Sequence, residues 1–297
     1  MSELIDALPT RFGIDPDRVY LQGFSEGGHA VWDTLALRPN VYAGARMLSG
    51  WTGKAPAALL RQVPLWISHA ADDTDSTVNG SRTMARLHRQ AGGTSIYTEY
   101  KSGGHIGGSD ASFVSPIAND WLLAQRRGKK TEAEPLLAIA RISQSPAYVT
   151  GATTIDLIGT TEALGQPVTV VTWTNSLNQA GGNASGTNTW SVMNIPLQAD
   201  KTNVLILTGT TMSWAPALGG NTTFNETLAV FSSPIRAKLV PDAQGATLSW
   251  AGGAPPYSVQ RATDLAKGVW TELQRDAVSP LILPLDRQAA FLRIVGQ

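Results

Sequence analysis

A serine flanked by glycines stands where a predicted strand meets a predicted helix. Ser25 lies in Gly23-Phe24-Ser25-Glu26-Gly27-Gly28, a G-x-S-x-G motif between a strand predicted at Val19–Gln22 and a helix predicted at Ser25–Leu37. In this context the motif holds a serine hydroxyl on a strained, exposed turn, where it can act as a nucleophile. The glycines are expected because a Cβ would collide with the neighbouring strand and helix. The backbone N–H of Glu26, at the helix N-terminus, is expected to stabilise an oxyanion.

A serine nucleophile needs a base, and the base needs an orienting acid. His105 follows the predicted strand Ser95–Tyr100 in Ser102-Gly103-Gly104-His105, which predicts a flexible glycine loop that presents the imidazole. Where a G-x-S-x-G serine lies between a strand and a helix of an α/β sheet, the three catalytic residues follow one another along the chain as serine, acid and histidine. The acid should therefore follow the strand predicted at Pro64–His69, and the residues leave three candidates open: Asp72, Asp73 and Asp75.

The remaining histidines have other predicted roles. His29 lies one helical turn after Ser25 and, with Trp51 in the loop after the strand Val41–Leu48, is a candidate for the substrate pocket. His69 is expected as a hydrogen-bonded core group, and His88, among arginines on a helix, as a surface residue. No metal site is expected, since no His-x-x-x-His pair occurs and the acidic run lacks the glycine and distal glutamate of a calcium loop. The absence of cysteine excludes thiolate sites and disulfides.

The elements of the first 130 residues alternate between strand and helix. Further helices are predicted at Val78–Ala91 and Ile117–Gln125, the first ending at Gly92-Gly93. This alternation predicts an α/β domain over residues 1–130, with a parallel sheet and helices on both faces.

The rest of the chain is predicted to be all-β. The charged stretch at 125–135 indicates a linker, placed at residues 131–145. Short strands separated by Gly, Asn and Pro predict one β-sandwich at 146–232 and a smaller β module at 233–297. The predicted strands are Pro167–Trp173, Thr189–Ile195, Val204–Thr210, Thr227–Phe231, Ala246–Trp250, Tyr257–Arg261, Trp270–Leu273 and Ala290–Ile294.

Charge and hydropathy limit the classes of partner. The 297 residues carry 23 basic and 23 acidic side chains, so no net field draws the chain to nucleic acid or a membrane surface. The totals hide an asymmetry, because 26 of these 46 charges and all four histidines lie in residues 1–130. No apolar run has the length of a membrane span. The acidic, amphipathic start lacks the features of a signal peptide, so a cytoplasmic location is expected for this chain.

The first 128 residues resemble a known enzyme family. The stretch from Ile14 to Gly28 resembles the nucleophile region of secreted α/β-hydrolases of the feruloyl-esterase-like carboxylesterase and predicted-peptidase group, and Val63–His69 resembles the strand before the family's acid. Members carry H-G-x-x-D there, with a Gly-Ser-Arg-x-Met helix start eight residues on. Counting four residues on from His69 and eight back from Ser81 gives Asp73 both times. The resemblance therefore implies Ser25, His105 and Asp73 as the catalytic residues, although Ala70 replaces the family's glycine.

The resemblance implies a serine carboxylesterase that needs no cofactor and hydrolyses small acyl esters through an acyl-enzyme. Because the family has about four more strands before its nucleophile, the chain is expected to be N-terminally truncated and weakly active. The strand Val19–Gln22 would then be an open edge, which predicts a homo-oligomer. Residues 168–230 resemble bacterial Ig-like domains, and 246–294 resemble fibronectin-III modules. The alternative function is an inactive hydrolase fragment whose β modules mediate adhesion or polysaccharide binding.

Overall fold

Four parallel strands form the part of the fold that carries Ser25. The computed structural model describes residues 5–7, 11–129, 135–139, 147–241, 245–284 and 291–296. Strands β1 (Tyr20–Phe24), β2 (Gly44–Leu48), β3 (Leu65–Ala70) and β4 (Ser95–Tyr100) pair in parallel in this order. The predicted α/β alternation is confirmed over this part of the chain.

Helices follow these strands and cover both faces of the sheet. They are α1 (Glu26–Leu37), α2 (Val78–Gln90), α3 (Gly104–Phe113) and α4 (Pro116–Ala124). Helix α4 begins at a capped terminus, because the Ser115 side chain accepts a hydrogen bond from the Ala118 N–H, and Pro116 occupies the first helical position. No helix in the described part of the chain is long and apolar enough to cross a membrane.

The core is built on the alternation of side chains along the buried strands. Every residue of β2 and β3 is buried, as expected for parallel strands that are covered on both faces. One face packs against α1 and α2 through a cluster that includes Val31, Trp32, Leu35, Ala45, Met47, Leu65, Ile67, Met84 and Ala85. On alternate positions, Trp66 makes an edge contact with Trp121 of α4, and Arg46 donates a hydrogen bond to Asn119. The two layers hold the strand ends that carry the site at fixed positions.

The sheet does not end at β4. Strand β13 (Asn221–Ser232) pairs antiparallel with β4, with Thr222 opposite Thr98, and the order then continues through β12 (Lys201–Met212) to β8 (Val168–Asn175). Strand β9 (Gly181–Asn183) follows β8, and β6 (Ala147–Thr150) pairs with the far end of β13. The sheet is therefore mixed, parallel in its first four strands and mostly antiparallel beyond them.

A polar network joins β4 to β13. The Asn225 side chain accepts a hydrogen bond from the Ser95 N–H at 2.8 Å and donates one to the Gly93 carbonyl at 3.0 Å. The Arg89 guanidinium, at the end of α2, donates to the Ser95 carbonyl at 2.8 Å and the Thr223 carbonyl at 3.0 Å. These hydrogen bonds join two segments whose residues lie 130 to 134 positions apart in the chain.

Three further sheets are antiparallel. The first has four strands in the order β10 (Ser185–Gly186), β11 (Thr189–Pro196), β7 (Thr154–Glu162) and β5 (Leu136–Ile139). The second has three, in the order β14 (Arg236–Pro241), β15 (Gly245–Ala251) and β18 (Leu281–Pro284). The third has the order β17 (Thr271–Ala277), β16 (Tyr257–Ala262) and β19 (Phe291–Val295).

The fold divides into two compact units, each built from several segments of the chain. One unit contains Met1–Gln144 together with Leu157–Val192 and Val204–Leu228. The other contains Ser145–Asp156, Met193–Asn203 and Ala229–Gln297, with a core around Leu248, Trp250, Val259 and Ala277. Strands β8, β12 and β13, from the β-rich part of the chain, belong to the sheet that begins with β1. The division into an α/β domain, a linker and two β modules stays a prediction.

Candidate active site

Ser25 occupies a strained turn between β1 and α1. Its backbone has φ 55° and ψ −120°, a conformation that costs a non-glycine residue free energy and persists only where the surroundings hold it. The Ser25 N–H donates to the Leu48 carbonyl of β2 at 2.9 Å, and the Ser25 carbonyl accepts from the His29 N–H at 3.1 Å. The turn therefore presents the hydroxyl at the carboxyl end of the strand, as the sequence predicts.

Two glycines of the motif are required by close backbone approaches. A Cβ on Gly23 would lie 2.2 Å from the Gly27 carbonyl oxygen, and a Cβ on Gly28 would lie 2.9 Å from the Leu48 carbonyl oxygen. The prediction is wrong for Gly27, where a Cβ would meet nothing within 4 Å. The tight contacts thus lie at the first glycine and at the one that packs against β2, and not at the last glycine of G-x-S-x-G.

His105 lies between Ser25 and Asp73. Its Nε2 is 3.0 Å from Ser25 Oγ, and its Nδ1 is 2.7 Å from Asp73 Oδ2. An ionised carboxylate only accepts hydrogen bonds, so Nδ1 carries the proton and Nε2 is left to accept the serine proton. The side chain of Asp73 is fully buried, whereas that of His105 is 15% exposed, so the imidazole is open to solvent while the acid is sealed.

The Asp73 carboxylate is surrounded by donors. Oδ1 accepts from the backbone N–H groups of Asp75 and Ser76, each at 2.9 Å, and Oδ2 also accepts from His69 Nε2 at 3.0 Å. Burial alone would raise the pKa of Asp73, but the hydrogen bonds from Ser76, His105 and Asp75 outweigh it and hold the pKa below its usual value. The group is therefore an anion at neutral pH, with its orientation fixed.

Helix α3 positions His105, and the predicted flexible glycine loop is wrong. His105 lies in the first turn of α3, which starts after Gly103 at φ 132°. The neighbouring carboxylate of Asp72 accepts from the N–H groups of Gly103 at 3.2 Å and Gly104 at 2.8 Å. Such a cap satisfies N–H groups that a helix terminus leaves without intrahelical partners. It stabilises a helix that its several glycines disfavour.

The three candidate aspartates thus have different places. Asp73 contacts His105, Asp72 caps the helix that carries His105, and Asp75 contributes its backbone N–H to the Asp73 carboxylate. The structure brings Ser25, His105 and Asp73 together. The role of Asp72 as the cap of α3 could not be predicted from sequence spacing, because the cap forms only when β3 and β4 lie side by side.

Other residues hold His105 in place and were not found by sequence reasoning. The Phe24 ring lies 4.7 Å from the imidazole, centroid to centroid, and Ser109 Oγ donates to the His105 carbonyl at 3.2 Å. Ser49, at φ 48°, contacts Ser109 Oγ at 3.0 Å. Of these three residues, only Phe24 could have been found from the sequence, because it precedes Ser25 in the G-x-S-x-G motif.

Three other predicted site residues lie around the first turn of α1. Glu26 is its first residue, where a backbone N–H makes no intrahelical hydrogen bond. His29 and Trp51 stack with ring centroids 5.0 Å apart, and His29 Nδ1 lies 3.4 Å from the Trp51 carbonyl oxygen. Their roles in oxyanion and substrate binding stay predictions.

His88 is buried, so its predicted surface position is wrong. It is 0% exposed, and its Nε2 lies 3.3 Å from the Leu60 carbonyl. Burial lowers the pKa of His88 to about 4, with a further lowering from the neighbouring Arg89. The arginines that suggested a solvated face include Arg89, which is itself directed into the β4–β13 junction.

The arrangement supplies acid–base and nucleophilic groups. Among the described residues, no group of three or more His, Asp or Glu side chains could hold a metal ion. A hydroxyl, an imidazole and a buried carboxylate in hydrogen-bonded series can transfer an acyl group through a serine ester.

No family model matches the sequence, but curated relatives do. A probable carboxylesterase SOBER1-like protein of Arabidopsis thaliana is 28% identical over 99 residues, 31% of this chain and 38% of its own length. Carboxylesterase SOBER1 of the same plant is 22% identical over 126 residues, 40% of this chain and 54% of its own length. The chain is carboxylesterase-like over this stretch. It spans only 38% and 54% of the lengths of these two relatives.

Solved structures are similar to a limited extent. A thermostable esterase is 28% identical, with 42% of this chain and 36% of the esterase covered at a TM-score of 0.40. The crystal structure of Arabidopsis thaliana SOBER1 is 23% identical, with 40% of this chain and 58% of that protein covered at a TM-score of 0.35.

Proposed function

We propose that the chain is a serine carboxylesterase that hydrolyses small acyl esters. The observation that carries the proposal is the hydrogen-bonded series from Ser25 Oγ through the His105 imidazole to the Asp73 carboxylate. The carboxylesterase-like relatives support ester hydrolysis as the reaction class.

In the proposed mechanism, Ser25 Oγ attacks the ester carbonyl carbon while its proton passes to His105 Nε2. The tetrahedral oxyanion receives a hydrogen bond from the Glu26 N–H. The C–O bond to the alcohol then breaks, and the alcohol oxygen takes the proton from His105 Nε2. Water repeats the sequence on the acyl-serine, giving a carboxylic acid and free Ser25. Asp73 keeps the His105 ring oriented and stabilises its transient positive charge.

The test is hydrolysis of a short-chain nitrophenyl ester by wild type and Ser25→Ala. Loss of the nucleophile should lower kcat/KM by at least about 10³-fold. Ser102→Ala, at an exposed serine in the loop before α3, serves as the control and should leave the rate unchanged. A fluorophosphonate reagent should label Ser25 in the wild type. Equal ester hydrolysis by wild type and Ser25→Ala would contradict the proposal and favour the alternative, in which the β modules carry the function.

We further propose that the β-rich region contains Ig-like (146–232) and fibronectin-III-like (233–297) modules. The smaller module is supported by residues of β15, β16 and β17 that share one core, although β15 belongs to a different sheet from β16 and β17. Two sheets around one core is the architecture of a sandwich.

The oligomer stays a proposal too. Strand β1 is the last strand on its side of the sheet among the described residues, which supports pairing of this edge with a second copy. Sedimentation velocity should give a mass above 31.5 kDa. A monomer at micromolar concentration would contradict the proposal.

A further inference from the structure

A second imidazole contacts the carboxylate that His105 uses. His69 lies in β3 with its side chain fully buried, and its Nε2 is 3.0 Å from Asp73 Oδ2, the same oxygen that accepts from His105 Nδ1. The acid thus lies between two histidines, of which one faces Ser25 and the other faces the interior.

The contacts of His69 fix its tautomer. Nε2 faces two acceptors, the Asp73 carboxylate and the Ser76 carbonyl at 2.9 Å, so Nε2 carries a proton. Nδ1 lies 2.8 Å from Ser81 Oγ, whose single proton has two possible acceptors, Nδ1 and the Gly50 carbonyl at 3.0 Å. Burial lowers the pKa of His69 in spite of its hydrogen bonds to Ser76 and Asp73, so the ring is neutral at neutral pH. In a neutral ring the one proton therefore lies on Nε2, which faces the Asp73 carboxylate and the Ser76 carbonyl, and Nδ1 is left as an acceptor.

The ring itself is held from both sides. Ser81 lies on α2, is fully buried, and also contacts the Gly50 carbonyl at 3.0 Å, while Ser76 lies in the turn that follows Asp73. His69 is therefore fixed by α2 and by the β3–α2 connection, and does not depend on His105 for its position.

We propose that His69 is a positioning residue for the reaction: its Nε2–H holds Asp73 Oδ2 in the plane that His105 Nδ1 requires. The inference rests on the proposed function, since it assumes that His105 works as a base. Backbone donors fix Oδ1 but leave the carboxylate free to twist about its Cβ–Cγ bond, and the second donor on Oδ2 opposes that twist. The spacing H-x-x-x-D, from His69 to Asp73, thus places the two side chains within hydrogen-bonding distance in this chain.

A matched pair of variants tests the proposal. His69→Gln keeps an N–H donor near the position of Nε2, whereas His69→Leu removes it, and both lose the Nδ1 contact with Ser81. His69→Leu should lower kcat on a nitrophenyl ester by about 10- to 100-fold, the size expected for a misplaced catalytic group, with KM unchanged. His69→Gln should lose much less. Equal losses in the two variants, or no loss in His69→Leu, would overturn the proposal.

A spectroscopic measurement separates this proposal from the esterase proposal. Wild-type chain labelled with ¹⁵N-histidine should show His69 protonated at Nε2, and a downfield His105 Nδ1–H proton that survives in His69→Gln and is lost in His69→Leu. This readout needs no turnover, so it holds even if Ser25→Ala has wild-type activity. If His69→Leu does not fold, the wild-type spectrum and His69→Gln still test the proposal. A wild-type His69 protonated at Nδ1 would overturn it. A wild-type His69 protonated at Nε2, with the His105 signal retained in His69→Gln, would support it.

Discussion

At the scale of single residues, the chemistry depends on one carboxylate that accepts four hydrogen bonds. His69, His105, Asp75 and Ser76 all donate to Asp73, and its side chain is sealed from solvent. The acid therefore enters any reaction as a fixed anion. Removing the charge of Asp73 changes the tautomer preference of His105. Substitution of its neighbours Asp72 and Asp75 should affect catalysis indirectly or not at all.

The three neighbouring aspartates should differ sharply on substitution. Asp73→Asn should lower kcat by about 10⁴-fold, because the amide no longer selects the His105 tautomer with the proton on Nδ1. Asp72→Ala should destabilise α3 by about 1 kcal/mol through loss of the cap and lower kcat modestly, while Asp72→Asn retains the acceptor. Asp75→Ala is the control, because only its backbone N–H is used. Ester hydrolysis and thermal unfolding of the four variants give the measurement, and a large loss in Asp75→Ala would contradict this assignment.

Single residues show how far sequence reasoning reaches. Ser25 and His105 could be found because glycines mark their backbone positions, and the acid could be narrowed to three neighbours because it must follow a strand. The cap formed by Asp72 and the contact between His69 and Asp73 are tertiary hydrogen bonds, which no local pattern specifies. His88 shows the opposite failure, since a helix rich in arginine suggested a solvated face that in fact packs against Leu60 and Gly93.

At the scale of elements, the turn between β1 and α1 has no room for a Cβ at Gly23 but has room for one at Gly27. Gly23→Ala should prevent the turn from closing, because the new methyl would meet the Gly27 carbonyl, a backbone group that cannot move aside. Gly27→Ala should fold normally, since the position is open and helical. Expression, thermal unfolding and fluorophosphonate labelling of both variants provide the test. Equal behaviour of the two variants would contradict the steric argument.

The junction between β4 and β13 depends on one buried amide. Asn225→Ala should lower the free energy of unfolding by about 1–3 kcal/mol, because it leaves the Ser95 N–H and the Gly93 carbonyl without their side-chain partner. Thr227→Ala is a matched control on the same strand, where an exposed hydroxyl donates to the Gly92 carbonyl. Urea unfolding measures both. A loss no larger than that of Thr227→Ala would mean that the amide does not stabilise the junction.

Most elements around Ser25 could be predicted from the sequence, and the exceptions there depend on partners that are distant in the chain. Strands β1 to β4 and helices α1, α2 and α4 are indicated by their apolar periodicity and end near the predicted residues. Helix α3 contains three glycines in Gly104–Phe113 and is stabilised by a cap from Asp72, in the turn that follows β3. The pairing of β13 with β4 joins segments far apart in the chain, and strand patterns carry no information about such partners.

For the whole molecule, the buried His88 predicts a pH dependence of stability. Its pKa in the fold is about 4, below the ordinary 6.5, so between these values the unfolded chain binds a proton that the folded chain does not. The free energy of unfolding should therefore fall as pH decreases from 6.5 to 4, by at most about 3 kcal/mol from this group. His88→Gln should remove that part of the slope. Urea unfolding at several pH values measures it, and identical slopes in the two proteins would contradict the prediction.

The pairing of β13 with β4 limits how this chain can be shortened. The Leu218 carbonyl, just before β13, accepts hydrogen bonds from the Lys101 and Ser102 N–H groups, three and two residues before Gly104, where α3 begins. A gene fragment that stopped after Ala124 would encode every proposed catalytic residue, yet its product would expose the backbone of β4 as a template for aggregation. We therefore expect the hydrolase-like segment of this chain to stay soluble only together with the strand that pairs with β4.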